Sequence, residues 1–450
     1  MLTVSNNAVR SRAREEWRQP HAPSSAAMAK KGGKKGKGGK KGPTGPEVVT
    51  TRQILKDREL CMCPRLGDAS VRRERADAIR LECVYFKIRR AVLQGREALD
   101  LSRSNLGFVP EDLRTTPELS KLTDLDLSRN QLFSSDHVFA ATEALLFLRK
   151  LDLSDNFFNG PLSDRCTKML ALEDLALDGN QLTGLPENIG DWKHMKRFSA
   201  AKNELRALPE SAGAWTGLRF LNVRNNKLAA IPTSMRNWTE CETLYLGSNE
   251  IAVLPDEISF LTKLRELDLR TNGIAHVPAA LSACTELRKL HLGNNKIGDV
   301  PPEVLAHLTE MEELHLYKNK LDSLPEQIGC LTKCTRMTLS SNNLRTLPDT
   351  ISSCQSLSEL YINNCGKFAN LPSSSGDLVN LQELQAKKCP GLKSLPNTAV
   401  AWANLKELDL RAAKKQVCKL PPELIATLDA NHCKIRGGVQ KKGGKKGKKK

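Results

Sequence analysis

Residues 264–333 read LRELDLRTNGIAHVPAALSACTE, LRKLHLGNNKIGDVPPEVLAHLTE and MEELHLYKNKLDSLPEQIGCLTK, three units of 23 or 24 residues with one apolar skeleton. Each unit opens with a leucine pair separated by one residue, as in Leu290-His291-Leu292. Successive strand residues point to opposite faces, so we expect both leucines to point inward and His291 outward. One unit cannot bury its own apolar face, whereas stacked copies can. The pattern therefore predicts a solenoid with a parallel sheet.

An asparagine three residues after the second leucine marks each turn. Its amide both donates and accepts hydrogen bonds, so it can pair backbone groups of two stacked turns where the chain leaves the strand. Pro301, farther along one unit, is expected to stop any helix from forming there. The asparagine position is occupied by Asn130, Asn156, Asn180, Asn203, Asn226, Asn249, Asn272, Asn295, Asn319 and Asn342, by Ser104 in a degenerate first turn, and by Cys365, Cys389 and Ala413 in the last turns.

These LxxLxLxxNxLxxLPxxIxxLxx units resemble the Ras-group intracellular leucine-rich repeat proteins and the LAP (Scribble-type) scaffolds, and they cover most of the chain. The resemblance implies an α/β solenoid, a leucine-rich repeat horseshoe of about fourteen turns with a concave parallel β-sheet. It also implies a non-catalytic cytoplasmic scaffold in intracellular signal transduction. Such a scaffold binds a protein partner, for example a small GTPase, on its concave face.

Composition divides the chain into four regions. Residues 1–46 are predicted to be a disordered basic Lys/Gly-rich tail, 47–95 a helical N-terminal cap, 96–435 the repeat domain, and 436–450 a second disordered basic tail. Within the cap region we expect a short helix from Thr50 to Leu60 and a longer one from Ser70 to Leu93, whose apolar residues follow helical spacing. An alternative reading of the longer helix is a calmodulin-type target. Met28 is an alternative start of the chain.

The formal net charge of +18 comes mainly from the tails, which carry seven lysines each at 30–42 and 441–450. The repeat array is close to neutral. We expect the tails to bind polyanions weakly and without sequence readout, because they lack interleaved aromatic residues. Two alternatives to the signalling scaffold therefore stay open: a cytoskeleton- or flagellum-associated structural protein, and an RNA- or ribosome-associated protein. The sequence contains no apolar run long enough to span a membrane.

The thirteen cysteines indicate a reducing compartment. Their number is odd, and several stand where the repeat requires an apolar residue, so we expect free thiols and a cytoplasmic location. Cys61 and Cys63 lack the spacing of a zinc site. The sequence contains none of the common hydrolase, kinase or zinc-protease motifs, so the chain is predicted not to be an enzyme and to need no cofactor.

The candidate binding surface consists of outward positions on the concave face. Three of the four tyrosines fall there, and exposed aromatic residues on a rigid sheet are typical binding anchors. Asp268, His291 and His315 occupy the same outward position in successive turns, but an open sheet offers such a row no enclosing support, so we expect no metal. The candidate protein-binding residues are Phe220, Arg224, Tyr245, Glu266, Asp268, Arg270, His291, His315, Tyr317, Lys318, Arg336 and Tyr361.

Two further groups have predicted structural roles. Four tryptophans occupy one repeat position that holds leucine in other turns, so they are predicted to lie in the core: Trp192, Trp215, Trp238 and Trp402. The early turns present aspartates that we interpret as a solvated acidic face: Asp124, Asp126, Asp152, Asp155, Asp174 and Asp178.

Overall fold

A computed structural model describes residues 69–411 and 418–437. The predicted helix at 50–60, the tail at 1–46, residues 438–450 of the second tail, Cys61, Cys63 and Ala413 lie outside these residues. The second tail was predicted to begin at residue 436, but Arg436 belongs to the last strand of the large sheet. Among the residues described, no helix is long and apolar enough to cross a membrane.

The strands are β1 Ala98–Asp100, β2 Asp124–Asp126, β3 Lys150–Asp152, β4 Asn159–Pro161, β5 Asp174–Ala176, β6 Gln181–Gly184, β7 Arg197–Ser199, β8 Phe220–Asn222, β9 Thr243–Tyr245, β10 Glu266–Asp268, β11 Lys289–His291, β12 Glu313–His315, β13 Arg336–Thr338, β14 Glu359–Tyr361, β15 Glu383–Gln385, β16 Glu407–Asp409 and β17 Lys434–Arg436.

Fifteen of these strands form one parallel sheet in chain order, with β4 and β6 set apart as a second, two-stranded sheet. The register places the central leucines opposite one another, as in Leu267 beside Leu290 and Leu290 beside Leu314. Leu290 and Leu292 are each 1% exposed, whereas His291 is half-buried and faces outward. The predicted solenoid of about fourteen turns is confirmed, with β17 closing the stack.

The repeated asparagine joins neighbouring turns as predicted. The Asn226 amide donates to the carbonyls of Ala200 in the preceding turn and Val223 in its own, at 2.9 and 3.0 Å, and its Oδ1 accepts from the Leu205 amide at 2.9 Å. A thiol replaces the amide at Cys389, which donates to the Ile362 carbonyl at 3.0 Å. The residue before this position has a left-handed backbone in turn after turn, for example Thr271 at φ +56°.

Short helices form the layer opposite the large sheet. The residue at which one of these helices begins shows that an expectation from the sequence was wrong. Pro301 was expected to stop a helix, but an α-helix begins at Pro302 directly after it, because proline lacks only a donor that the first helical turn does not need. The α-helices are α1 Ala69–Leu93, α2 Asp112–Thr115, α3 Ser135–Thr142, α4 Pro302–His307 and α5 Pro422–Ala430. The 3₁₀ helices span Pro117–Lys121, Asp164–Lys168, Ile189–Asp191, Glu210–Ala214, Thr233–Asn237, Asp256–Phe260, Ala279–Ala283, Glu326–Cys330, Asp349–Ser353, Ser373–Asp377 and Asn397–Ala401.

Helix α1 covers the first turn of the solenoid. Val84, Ile88 and Ala91 are at most 5% exposed and belong to the continuous apolar core. The helix ends before Gly95, whose φ of +57° suits a residue without a side chain. The longer helix predicted from the sequence is therefore present and packs on the repeat array.

The core is one apolar column that runs through the turns. The four tryptophans are fully buried, as predicted. The Trp215 indole donates to the Ile189 carbonyl 26 residues earlier at 2.9 Å, and the Cys284 thiol donates to the Ile258 carbonyl at the same step at 3.3 Å. Tryptophan and cysteine therefore occupy equivalent places in different turns. Both satisfy a buried carbonyl of the preceding turn.

Candidate functional site

The outward side chains of the large sheet form three columns, which we call together the sheet face. The first column consists of the first residue of each strand, the middle column of the third residue, and the last column of the residue two places farther on. Of the predicted site residues, the first column contains Phe220, Glu266 and Arg336, the middle column Tyr245, Asp268, His291, His315 and Tyr361, and the last column Arg224, Arg270 and Tyr317. Lys318 follows Tyr317 and is exposed at a φ of +52°.

Two aromatic rings in contact with each other lie between two arginines in the region of strands β7, β8 and β9. The guanidinium of Arg197 lies 4.2 Å from the centre of the Phe220 ring, and Phe220 meets Tyr245 edge to face at 5.6 Å. Arg224 covers the other side of Tyr245 with its guanidinium 3.6 Å from the ring centre. Such stacking orders long side chains that are otherwise mobile in solvent. Burial, with Glu266 nearby, raises the pKa of Tyr245 to about 12, so the phenol stays protonated.

Asp268 was expected to contact a protein partner, but its side chain is only 1% exposed. Arg270 donates to its two oxygens at 3.0 and 2.8 Å, and Arg224 pairs with it from the other side. Burial opposes ionisation of Asp268, but the hydrogen bonds and charges of these arginines outweigh burial and lower its pKa. Asp268 therefore fixes the two guanidinium groups rather than meeting a partner itself.

The Tyr317 ring lies against the neighbouring turn at Gly293. A side-chain carbon added at Gly293 would clash with this ring, so glycine leaves the space that the ring occupies. The Tyr317 hydroxyl group interacts electrostatically with Arg270, which links Tyr317 to the arginine pair around Asp268. Tyr317 lies beyond the end of β12, two residues after His315.

His291 and His315 stack on adjacent strands, with ring centres 4.4 Å apart and planes inclined by 7°. His315 contacts Thr338 Oγ1 through Nδ1 at 2.9 Å and Glu313 Oε2 through Nε2 at 3.2 Å. Burial and the neighbouring His315 ring lower the pKa of His291 to about 4, and burial lowers that of His315 as well. Both rings are therefore uncharged at neutral pH.

The third tyrosine is held by carboxylates. The Tyr361 hydroxyl lies 2.7 Å from Glu359 and 2.9 Å from Glu383, and Arg336 pairs with Glu359 at 2.8 Å. Burial and both carboxylates raise the pKa of Tyr361. Four strands separate Tyr361 from Tyr245 and one strand, β13, separates it from the turn that contains Tyr317, so Tyr361 has its own acidic surroundings.

The early turns form an open acidic groove on the sheet face, with a volume of about 460 Å³. Two of its aspartates face cations from adjacent strands: Asp124 lies 3.4 Å from Lys150 and Asp174 lies 3.6 Å from Arg197. Burial raises the pKa of Asp174 and of Asp178. The groove is lined by Arg96, Ala98, Leu99, Asp100, Asp124, Leu125, Asp126, Lys150, Leu151, Asp152, Asp174 and Ala176.

Sequence reasoning missed the residues that hold the candidate contacts in place. Arg197, Glu313 and Thr338 each contact a predicted site residue from the same or a neighbouring strand. One signal was present in the sequence: Leu-Asp-Leu-Arg occurs at 267–270 and again at 408–411, and in both places the arginine binds the buried aspartate. The other supporting residues stand in the three outward columns of neighbouring turns, so an alignment of the repeats predicts which side chains they contact.

The repeats match a family model described as "Leucine rich repeat" over residues 216–274 and 285–344. This is a leucine-rich repeat fold. Comparison with curated protein sequences gives no significant match. Among solved structures, the LRR protein LIC12759 of Leptospira interrogans is 26% identical, with a TM-score of 0.55, over 77% of this chain and 97% of that protein.

Two receptor structures are similar to the leucine-rich repeat solenoid as well. PEPR1, solved with AtPEP1, is 25% identical with a TM-score of 0.61, over 75% of this chain and 48% of that one. The plant peptide hormone receptor RGFR1, in complex with RGF2, is 24% identical with a TM-score of 0.56, over 74% of this chain and 61% of that one. This chain therefore corresponds to about half to three fifths of those receptor chains. Leucine-rich repeat proteins generally mediate protein–protein binding, and their fold is typically a non-catalytic interaction scaffold.

Proposed function

We propose that the protein is a non-catalytic scaffold that binds a protein partner on its sheet face, around the ring–arginine cluster formed by Arg197, Phe220, Arg224 and Tyr245. The observation that carries this proposal is the continuous stacking of these four side chains across three strands. Tyrosine and arginine are the residue types most often found at energetic centres of protein interfaces.

The order of this cluster supports binding for an energetic reason. Association costs roughly 0.5–1.5 kcal/mol for each mobile side chain that becomes fixed. Arg224 and Arg270 are already held by the buried Asp268, and the Tyr245 ring is held between Phe220 and Arg224. A partner therefore meets a surface that has little remaining side-chain entropy to lose. Tyr317 and Tyr361, each with ordered neighbours, extend the same face.

We place this binding in the cytoplasm and in intracellular signalling. The eleven cysteines within 69–411 and 418–437 are all free thiols, and nine of them are buried or half-buried in the repeats. Free thiols in such number persist in reducing compartments. The signalling role rests on the resemblance of the repeats to Ras-group and LAP arrays, which also makes a small GTPase a candidate partner.

Affinity capture from cell extract, followed by mass spectrometry, tests the proposal. We expect wild-type protein to retain a partner that the triple variant Tyr245→Ala, Tyr317→Ala, Tyr361→Ala loses, since anchors cost about 2 kcal/mol or more each on truncation. The matched control is Val253→Ala, Phe260→Ala, Val379→Ala, which removes exposed apolar side chains away from the sheet face. Equal retention by a well-folded tyrosine variant would refute binding at these positions.

A second candidate function follows from the fourteen lysines in the two Lys/Gly-rich segments. We propose that they bind polyanions such as RNA, ribosomes or acidic cytoskeletal surfaces through charge alone. Removing residues 29–46 and 438–450 is then expected to abolish salt-sensitive retention on a polyanion resin while leaving the melting temperature unchanged. Retention that survives the deletion would assign polyanion binding to the repeats instead.

A further inference from the structure

Three side chains of types that can bind a metal ion lie near the ring–arginine cluster, on strands β11 and β12. His291 and His315 are paired in register, and Glu313 precedes His315 by two residues on the same face. Each of the three offers one ligand atom, and these atoms all lie within 4.8 Å of one another. Two imidazoles and one carboxylate are the ligand set of many three-residue zinc sites, which leave a fourth position open.

The separation of two ligand atoms already matches a bound ion. Nitrogen and oxygen ligands lie about 2.0–2.2 Å from Zn²⁺, so tetrahedral geometry sets neighbouring ligand atoms about 3.4 Å apart. Nε2 of His315 and Oε2 of Glu313 are 3.2 Å apart. The His291 ring has to move closer, by about 1.4 Å or less on the same arithmetic. It also has to turn out of its parallel stack with His315, because the lone pair of an imidazole nitrogen lies in the ring plane and must point at the ion.

Surrounding residues orient these ligands as the supporting residues of metal sites do. Thr338 Oγ1 lies 2.9 Å from Nδ1 of His315, and a proton on Nδ1 that donates to this hydroxyl leaves the Nε2 lone pair free for an ion. Lys289 lies 3.6 Å from the other oxygen of Glu313 and leaves Oε2 available. Asp268 belongs to the same column as the two histidines, but its carboxylate forms ion pairs with Arg224 and Arg270. Glu313 is therefore the carboxylate that can bind an ion here.

We propose that His291, Glu313 and His315 bind Zn²⁺ on the sheet face. The fourth coordination position faces solvent, where it takes water or a ligand atom supplied by a bound molecule. This proposal departs from the expectation from the sequence that no metal binds here, since that expectation considered Asp268 as the carboxylate and found no supporting residues. The proposal is independent of the identity of any protein partner.

Isothermal titration of the purified full-length chain with Zn²⁺ tests this site. We expect one ion per chain, and we expect His291→Ala, His315→Ala and Glu313→Gln each to abolish that binding. Thr338→Val is expected to weaken it about 10–100-fold, the usual effect of losing a residue that supports a ligand. His276→Ala, which changes an exposed histidine away from the sheet face, is the matched control and is expected to bind like wild type.

Titration with Co²⁺ separates this site from ions bound by cysteine. Nitrogen and oxygen ligands give weak visible absorption, whereas thiolates such as those of Cys83 or Cys330 add intense charge-transfer bands in the near ultraviolet. His315→Gln preserves side-chain polarity if the alanine variant unfolds, and far-ultraviolet circular dichroism checks each variant. Wild-type protein that binds no ion, ligand variants that bind like wild type, or a thiolate spectrum would each overturn the proposal.

Discussion

At the scale of single residues, a few polar side chains hold the turns in register. Asn226 is 8% exposed and satisfies one amide and two carbonyls of the backbone at the turn boundary. This role was predictable because the asparagine recurs at one position and its amide is the side chain that both donates and accepts there. The left-handed residue before it was not predicted, because asparagine and glycine, which favour this backbone region, hold that place in only some turns, and lysine, arginine, threonine, serine and aspartate hold it in the others.

We expect Asn226→Ala to destabilise the protein by about 2–4 kcal/mol, because buried backbone groups lose their partners and each costs about 1–3 kcal/mol. Denaturant unfolding followed by circular dichroism measures this loss. The control is Asn237→Ala, at the exposed end of a 3₁₀ helix, which is expected to change stability by about 0.5 kcal/mol or less. Equal stability of the two variants would show that the repeated asparagine is dispensable.

Asp409 gives a pH prediction at the same scale. Its side chain is buried, and Arg411 and Lys387 lie 2.7 and 3.4 Å from it. Burial opposes its charge, but the hydrogen bonds and charge of Arg411, together with Lys387, lower its pKa below the usual value. A carboxylate with a lowered pKa stabilises the native state above the unfolded pKa of about 3.9, and this stabilisation is lost as the pH falls through the folded pKa.

Asp409→Asn is therefore expected to be less stable than wild type at pH 7, and the difference is expected to narrow below about pH 4. Melting temperatures measured from pH 7 to pH 2.5 give both curves. Asp377→Asn, which changes an aspartate at the end of a 3₁₀ helix, is the control. Parallel curves for wild type and Asp409→Asn would contradict the stabilising role of this carboxylate.

At the scale of elements, helix α1 shows what periodicity can and cannot predict. The apolar spacing predicted the helix and its end near Leu93, because one face must pack on the first turn. The apolar spacing predicts that Leu81, Val84 and Ile88 are all buried. Val84 and Ile88 are buried, whereas Leu81 is only half-buried. Which residues of the helix are buried depends on the tilt of the helix against the first turn, and the spacing of the apolar residues does not determine this tilt.

We expect the double substitution Val84→Asp, Ile88→Asp to cause aggregation, because an uncovered solenoid end exposes the apolar interior of its first turn. Size-exclusion chromatography with light scattering measures the soluble monomer. Phe86→Ser is the matched control, because Phe86 lies on the same helix but is 55% exposed. A monomeric, fully folded double variant would show that α1 does not protect the first turn.

At the scale of the whole molecule, the solenoid was predictable because nearly every turn repeats the same spacing of buried leucines and of the asparagine that follows them. The sheet register follows from leucine spacing alone, and so does the alternation of buried and outward residues. The proposed binding surface was predictable only in outline. Side chains of adjacent turns lie 23 or 24 residues apart in sequence, so the stacking of Arg197, Phe220 and Tyr245 and the burial of Asp268 become evident only when the columns are assembled.

Photo-crosslinking in intact cells tests binding on the sheet face most directly. A photoreactive phenylalanine analogue replaces Phe220 or Tyr317 on the sheet face, and Phe260 or Val379 on the opposite layer as controls. We expect one discrete crosslinked protein species from both sheet-face positions, the same species from each, and none from the controls. Crosslinks to that species from Phe260 or Val379, with none from Phe220 and Tyr317, would contradict the assignment of the binding surface.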